Sequence, residues 1–106
     1  MTANDLVIEP DRLRSAAEQA VGTLKLLANP ERLLLLCQLS QGEFSVGELE
    51  EQLDIHQPTL SQQLGVLRNQ GVVATRREGK NIFYSVADPA VLEILLVLYR
   101  TYCPKE

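Results

Sequence analysis

The feature that most restricts how this chain can fold is a joint between two short helical patterns. Ser45-Val46-Gly47-Glu48 has the Ser-x-x-Glu spacing of a capping box, which predicts a short helix that buries Leu49 and Leu53 and stops at Asp54. After only Ile55 and His56 comes Gln57-Pro58, a proline where a helix begins. Leu60, Leu64 and Leu67 then share one face before Gly71 ends the run. The spacing therefore gives two short helices joined by a tight turn. At about 100° per residue, with the three leucines inward, Pro58, Gln62, Gly65 and Asn69 point outward and Thr59 and Ser61 flank them. That outward face is polar and carries no carboxylate.

The flanking segments complete the pattern. Leu13, Ala17, Ala20, Val21, Leu24 and Leu27 recur at helical spacing, so residues 10–27 form an amphipathic helix with an alanine-rich apolar face. Asn29-Pro30 supplies a cap and a proline at the first helical position. The helix that follows runs through Leu33, Leu34, Leu35, Leu36, Cys37 and Leu39 to a stop at Gln41-Gly42. It is apolar nearly all round, and a central position is expected for it. Residues 72–76 and 82–86 are β-prone and separated by Arg77-Glu78-Gly79-Lys80-Asn81, while Ile82, Tyr84 and Val86 alternate with Phe83 and Ser85, the pattern of a hairpin with one buried face. Arg76, Arg77 and Lys80 are expected at its tip. Asp88-Pro89 caps a last helix containing Leu92, Leu95, Leu96 and Tyr99, which runs toward Tyr102 and Cys103 before Pro104. With no linker, repeat or low-complexity stretch, residues 1–106 read as one domain. Within it a helix-turn-helix lies at about 45–70, a wing at about 72–86 and a final helix at about 88–102.

A lone chain of 106 residues buries only roughly 60–70 % of its unfolded surface, so a core completed by a second copy is expected to matter. The longest apolar runs, Leu33 to Cys37 and Ile94 to Tyr99, fall far short of the roughly 20 residues a bilayer requires, and no membrane segment is expected. The first ten residues include Asp5 and Glu9 and lack a basic n-region and an apolar h-region, which points to the cytoplasm.

The formal net charge of −4 hides an uneven distribution. Residues 1–56 carry 4 basic and 10 acidic side chains, residues 57–86 carry 4 and 1, and residues 87–106 carry 2 and 3. Only the middle stretch is basic, and phosphate responds to local positive surface within a Debye length rather than to the whole-chain sum. Helix, helix, short helix, tight turn, polar-faced helix, basic hairpin and helix together make a winged helix-turn-helix, mainly α with a small β-hairpin. In that arrangement the second helix of the turn enters the major groove of DNA, where Gln57, Thr59, Ser61 and Gln62 can hydrogen-bond base edges. Arg76, Arg77 and Lys80 are then candidates for gripping the neighbouring backbone, which positions the protein without reading sequence. A solvated basic turn is the plain alternative for those three.

Gln57-Pro58-Thr59-Leu60-Ser61-Gln62-Gln63-Leu64-Gly65-Val66-Leu67, followed by Gly71-Val72-Val73, resembles the ArsR family of bacterial repressors. The likeness extends to Asn29-Pro30-Glu31-Arg32, Glu48-Leu49 and Arg77-Glu78-Gly79-Lys80-Asn81-Ile82-Phe83-Tyr84. It covers most of residues 20–100. The resemblance implies a homodimer paired through its first and last helices, bound to a two-fold-symmetric operator in double-stranded DNA and released by an inducer. Gln62 stands where many members have His, so base preference does not carry over.

Many members bind a metal through a Cys-x-Cys pair on the first helix of the helix-turn-helix, or through His and acidic residues on the last helix. This chain has Ser45-Val46-Gly47-Glu48-Leu49 at the first place, no His on the last helix, and its single His56 in the turn. Zinc or arsenite sites usually need three or four soft or imidazole ligands. No resident metal or cofactor is expected, and a metal-responsive repressor is the runner-up reading. Cys37 and Cys103 lie 66 positions apart, which is neither Cys-x-x-Cys nor a zinc-ligand spacing. Each alone has an ordinary explanation, as core or as an incidental thiol. As a pair, with Tyr99-x-x-Tyr102-Cys103-Pro104, they resemble the sulfide- and persulfide-responsive members of the BigR/SqrR type. That resemblance implies a switch in which Cys37 and Cys103 become bridged by a disulfide or polysulfide when persulfide or polysulfide arrives, with genes of sulfide detoxification under control. A thiol-dependent sulfur-transfer enzyme is the remaining alternative. Against it stand the lack of a Gly-rich phosphate loop, of a carboxylate pair beside a base, and of any Cys set with the lone His in a recognisable catalytic pattern.

Overall fold

A computed structural model describes residues 9–103. The chain forms helices α1 (Pro10–Leu27) and α2 (Pro30–Leu39), a short strand β1 (Phe44–Ser45), helices α3 (Val46–Leu53) and α4 (Thr59–Asn69), strands β2 (Val73–Glu78) and β3 (Asn81–Val86), and helix α5 (Pro89–Tyr102). Local chemistry sets the ends. The Asn29 side chain accepts from the Arg32 N–H at 3.0 Å, and Asp88 accepts from Ala90 and Val91. Ser45 and Glu48 form a reciprocal capping box. Each such cap contributes about 0.5–2 kcal/mol by satisfying amides that the first helical turn leaves without partners. Asp54 closes α3 in the left-handed conformation, at φ 56°, which a short polar side chain tolerates.

Helix α2 occupies the centre, packing against α1, α3, α4, α5 and β3. Leu35, Leu36 and Leu39 from α2 meet Leu49 from α3, Leu60, Leu64 and Leu67 from α4, Val72 and Val73, and Val91 and Leu95 from α5. Burying each of these side chains fully is worth about 1.5–3 kcal/mol relative to leaving it in water. The leucine spacing of α4 thus fixes which side faces the core, and with it which side faces out.

Two features of the sheet go beyond the alternation read from sequence. The strand order is β1-β3-β2, all antiparallel, so β3 is central and every residue from Ile82 to Val86 is half-buried instead of alternating in and out. The connection between β2 and β3 is also shorter than the five residues expected. Arg77 pairs with Ile82 and Glu78 with Asn81, leaving only Gly79-Lys80 as the turn. Gly79 sits at φ 62°, the positive value that the first position of a type II′ hairpin turn requires.

Helix α1 rests mainly on α2 and buries only Leu27 fully. Leu13 is 54 % exposed, Leu24 55 % and, on α5, Val97 53 %. The radius of gyration, 16.2 Å, exceeds the ~13 Å typical of a compact domain of about this length. No helix among the described residues is long and apolar enough to cross a membrane.

Candidate DNA-reading face and thiol pair

Leu60, Leu64 and Leu67 press one side of α4 into the core, and the opposite side presents Pro58, Ser61, Gln62 and Asn69 to solvent. Thr59 is half-buried. Proline at the N-cap has no side chain to accept from the first turn, and Gln57 does so in its place. Its Oε1 accepts from the Ser61 backbone N–H at 3.1 Å and from the Ser61 hydroxyl at 2.6 Å. Two of the residues singled out for reading bases are therefore joined to each other.

The wing separates the three cations expected at one tip. Cross-strand pairing of Arg76 with Phe83 and of Arg77 with Ile82 puts the two arginines on opposite faces of the β2-β3 ribbon. Arg76 donates from Nε and one terminal nitrogen to Glu43, at 3.1 and 2.7 Å, and from the other terminal nitrogen to Glu78 at 2.7 Å. Its guanidinium carbon lies 4.9 Å from the centre of the Phe83 ring. These bonds hold Glu43 below its ordinary carboxyl range and strengthen the proton affinity of Arg76. Arg76 is exposed, but two carboxylates and a ring engage its guanidinium, so fewer of its donors are left for phosphate. Arg77 and Lys80 remain exposed.

Sequence reading passed over the role of Arg32. Its Nε donates to the Leu26 carbonyl at 2.8 Å, and its terminal nitrogens reach the carbonyl of Lys25 and Oε1 of Gln63 on α4. One half-buried arginine thus closes the C-terminal end of α1 and ties it to α4. The signal available in the sequence is only a long cation three residues after the Asn29 cap.

The two thiols belong to helices that touch. Cys37 sits on α2, half-buried beside the core, and Cys103 caps α5, exposed, with its N–H donating to the Tyr99 carbonyl at 3.0 Å. Both thiols are free. Burial pushes the Cys37 thiol above its ordinary value, and negative charge at Cys103 pushes it further in the same direction. Pro104, the last residue of the terminal motif, lies outside the described residues. Among the described residues no three His, Cys, Asp or Glu side chains gather as metal ligands; His56 instead bonds Asp54 at 2.7 Å, in the turn.

Comparison with known proteins agrees with this architecture. Residues 29–75 match the bacterial regulatory protein, arsR family, model. The chain is 56 % identical over 97 residues to a biofilm growth-associated repressor of Agrobacterium fabrum, covering 92 % of this chain and 82 % of that protein. The crystal structure of the transcriptional repressor BigR from Xylella fastidiosa superposes with a TM-score of 0.82 at 46 % identity, covering 92 % of this chain and all of that one. Reduced HlyU from Vibrio cholerae gives 0.84 at 40 % identity, covering 88 % and 98 %. The chain belongs to the arsR family of bacterial regulatory proteins, whose members act in transcription and not as enzymes.

Proposed function

We propose that this protein is a homodimeric transcriptional repressor that binds a two-fold-symmetric operator and releases it when Cys37 and Cys103 of one protomer become joined through sulfur. The observation that carries this reading is the packing of α2, which bears Cys37, on α5, which ends at Cys103. Repression is supported by the names of its relatives in Agrobacterium and Xylella. Dimerisation is supported by the unpartnered apolar faces of α1 and α5 and by the extended protomer. In this reading Gln57, Thr59, Ser61 and Gln62 meet base edges, while Arg77 and Lys80 meet the flanking backbone.

The switch chemistry uses a persulfide, RSSH, as oxidant. The exposed Cys103 thiolate attacks the sulfane sulfur, the S–S bond breaks, RSH leaves and Cys103 carries a persulfide. Cys37, whose proton is held more tightly, resolves it: its sulfur attacks the Cys103 sulfur, hydrosulfide departs, and a disulfide remains. Two thiols have lost two electrons and one sulfane sulfur has gained them. With a second equivalent of RSSH one sulfur stays in the bridge, giving a trisulfide that spans more than a direct disulfide, which needs Cα atoms about 4.4–6.8 Å apart. Both thiols persist in a reducing compartment such as the cytoplasm, where a reversible bridge makes a signal. An inducer of this kind matches control of sulfide-detoxifying genes.

The test is release of a fluorescent duplex, selected by the reduced protein from a random-sequence pool, upon addition of glutathione persulfide at fixed salt. The expected loss of affinity is about 5–150-fold, the usual span of allosteric coupling, while Cys37→Ser holds the duplex under the same treatment. Equal release from Cys37→Ser would sink the thiol mechanism and leave the repressor standing.

A further inference from the structure

We infer that Gln57 and Ser61 act as one reading unit with a fixed order of donor and acceptor, and that its target is adenine. This rests on the proposed seating of α4 in the major groove. The order follows from hydrogen-bond chemistry. A backbone N–H only donates, so the side-chain atom of Gln57 facing the Ser61 N–H at 3.1 Å is the amide oxygen. An amide oxygen only accepts, so the Ser61 hydroxyl, 2.6 Å from the same oxygen, points its hydrogen there. What remains for a ligand is one-sided on each residue. Gln57 offers its Nε2 hydrogens and no acceptor, and Ser61 offers hydroxyl lone pairs and no hydrogen. Both residues are exposed at the start of α4.

A free glutamine amide can turn over and exchange its donor for its acceptor, as the unbonded end of Gln62 can. Gln57 cannot do so without giving up two hydrogen bonds and leaving the first turn of α4 uncapped. The unit therefore presents a donor from Gln57 beside an acceptor from Ser61 in one order only. Among single bases, adenine alone shows an acceptor, N7, next to a donor, the N6 amino group, on its major-groove edge. Guanine shows two acceptors there, cytosine a donor, and thymine an acceptor beside a methyl group. Gln57 then faces N7 and Ser61 faces N6, which also fixes the direction in which the base is read.

The test begins with a duplex enriched by the reduced protein from a random-sequence pool. Each adenine is replaced singly by 7-deazaadenine, which lacks N7 as an acceptor, and by purine, which lacks the amino group. One adenine in each half-site is expected to show a penalty of about fivefold or more with both analogues, the lower end of a bidentate pairing. Gln57→Glu keeps the capping acceptor and lacks the donor, so it loses the 7-deaza penalty at that position. Ser61→Ala loses the purine penalty and keeps the 7-deaza penalty. Each penalty is a ratio within one variant, so a uniform loss of affinity from an added charge or altered stability cancels. Specific binding with no adenine sensitive to both analogues, or with both penalties intact in the variants, overturns the inference while leaving DNA binding in place. Failure of the pool to enrich any sequence overturns DNA reading and the inference together.

Discussion

Cys37 and Cys103 have the same side chain and different surroundings, and in the proposed switch that difference assigns their order of reaction. Half-burial beside leucines and the charge of its partner favour the protonated form of Cys37. The sign of the linkage follows: a thiol that holds its proton more tightly when folded stabilises the folded state while protonated. That contribution fades as pH rises through the interval above the ordinary thiol value. Iodoacetamide at pH 7.5, followed by peptide mass mapping, is expected to label Cys103 at least about tenfold faster than Cys37, with the gap narrowing toward pH 10. Labelling of Cys37 first would reverse the assigned roles. Which thiol is exposed is not legible in the sequence, because a cysteine in an apolar helix and one beside a terminus both have ordinary explanations. Nor is the packing of α2 against α5, which joins segments far apart in the chain.

Elements whose ends are set by nearest neighbours are legible. The Asn29, Ser45 and Asp88 caps stand where local spacing puts them, because each needs only an oxygen at the right offset from an amide. The wing is less legible. Charge marks Arg76, Arg77 and Lys80 as one group, but the two-residue Gly79-Lys80 turn extends the pairing to Asn81, and a strand alternates its side chains. Nor does composition announce that Glu43, beyond the end of α2, reaches Arg76 across the sheet. The exposed ion pairs are worth little as stability, but the two carboxylates beside Arg76 offset its charge toward phosphate. In DNA-binding titrations over a range of salt, Arg76→Gln is therefore expected to leave the slope of log affinity against log salt unchanged. Lys80→Gln is expected to make that slope shallower by about 0.9 for the phosphate that Lys80 neutralises. A change of that size for Arg76→Gln would return Arg76 to the DNA interface.

At the scale of the whole molecule, the central position of α2 makes a local bond consequential. It carries Cys37, packs on both helices of the helix-turn-helix and on α5, and is joined by Arg32 to the end of α1 and to Gln63 of α4. The proposed bridge from α2 to the end of α5 would therefore act on the same helix that supports α4, and α5 and α1 carry the apolar faces a second copy would cover. Packed interfaces and cores are bistable instead of continuously deformable, so in the proposed dimer a sulfur bridge of a few ångströms would move the two copies of α4 out of register with an operator. The measurement that tests this most directly follows one sample in two ways as persulfide is added: fluorescence anisotropy for duplex still bound, and intact mass with peptide mapping for protomers carrying a Cys37-to-Cys103 bridge. The account predicts that the two fractions change together, with the bridge inside one protomer and binding restored by thiol reductant. Release of the duplex while the Cys37 and Cys103 peptides remain unlinked would contradict it.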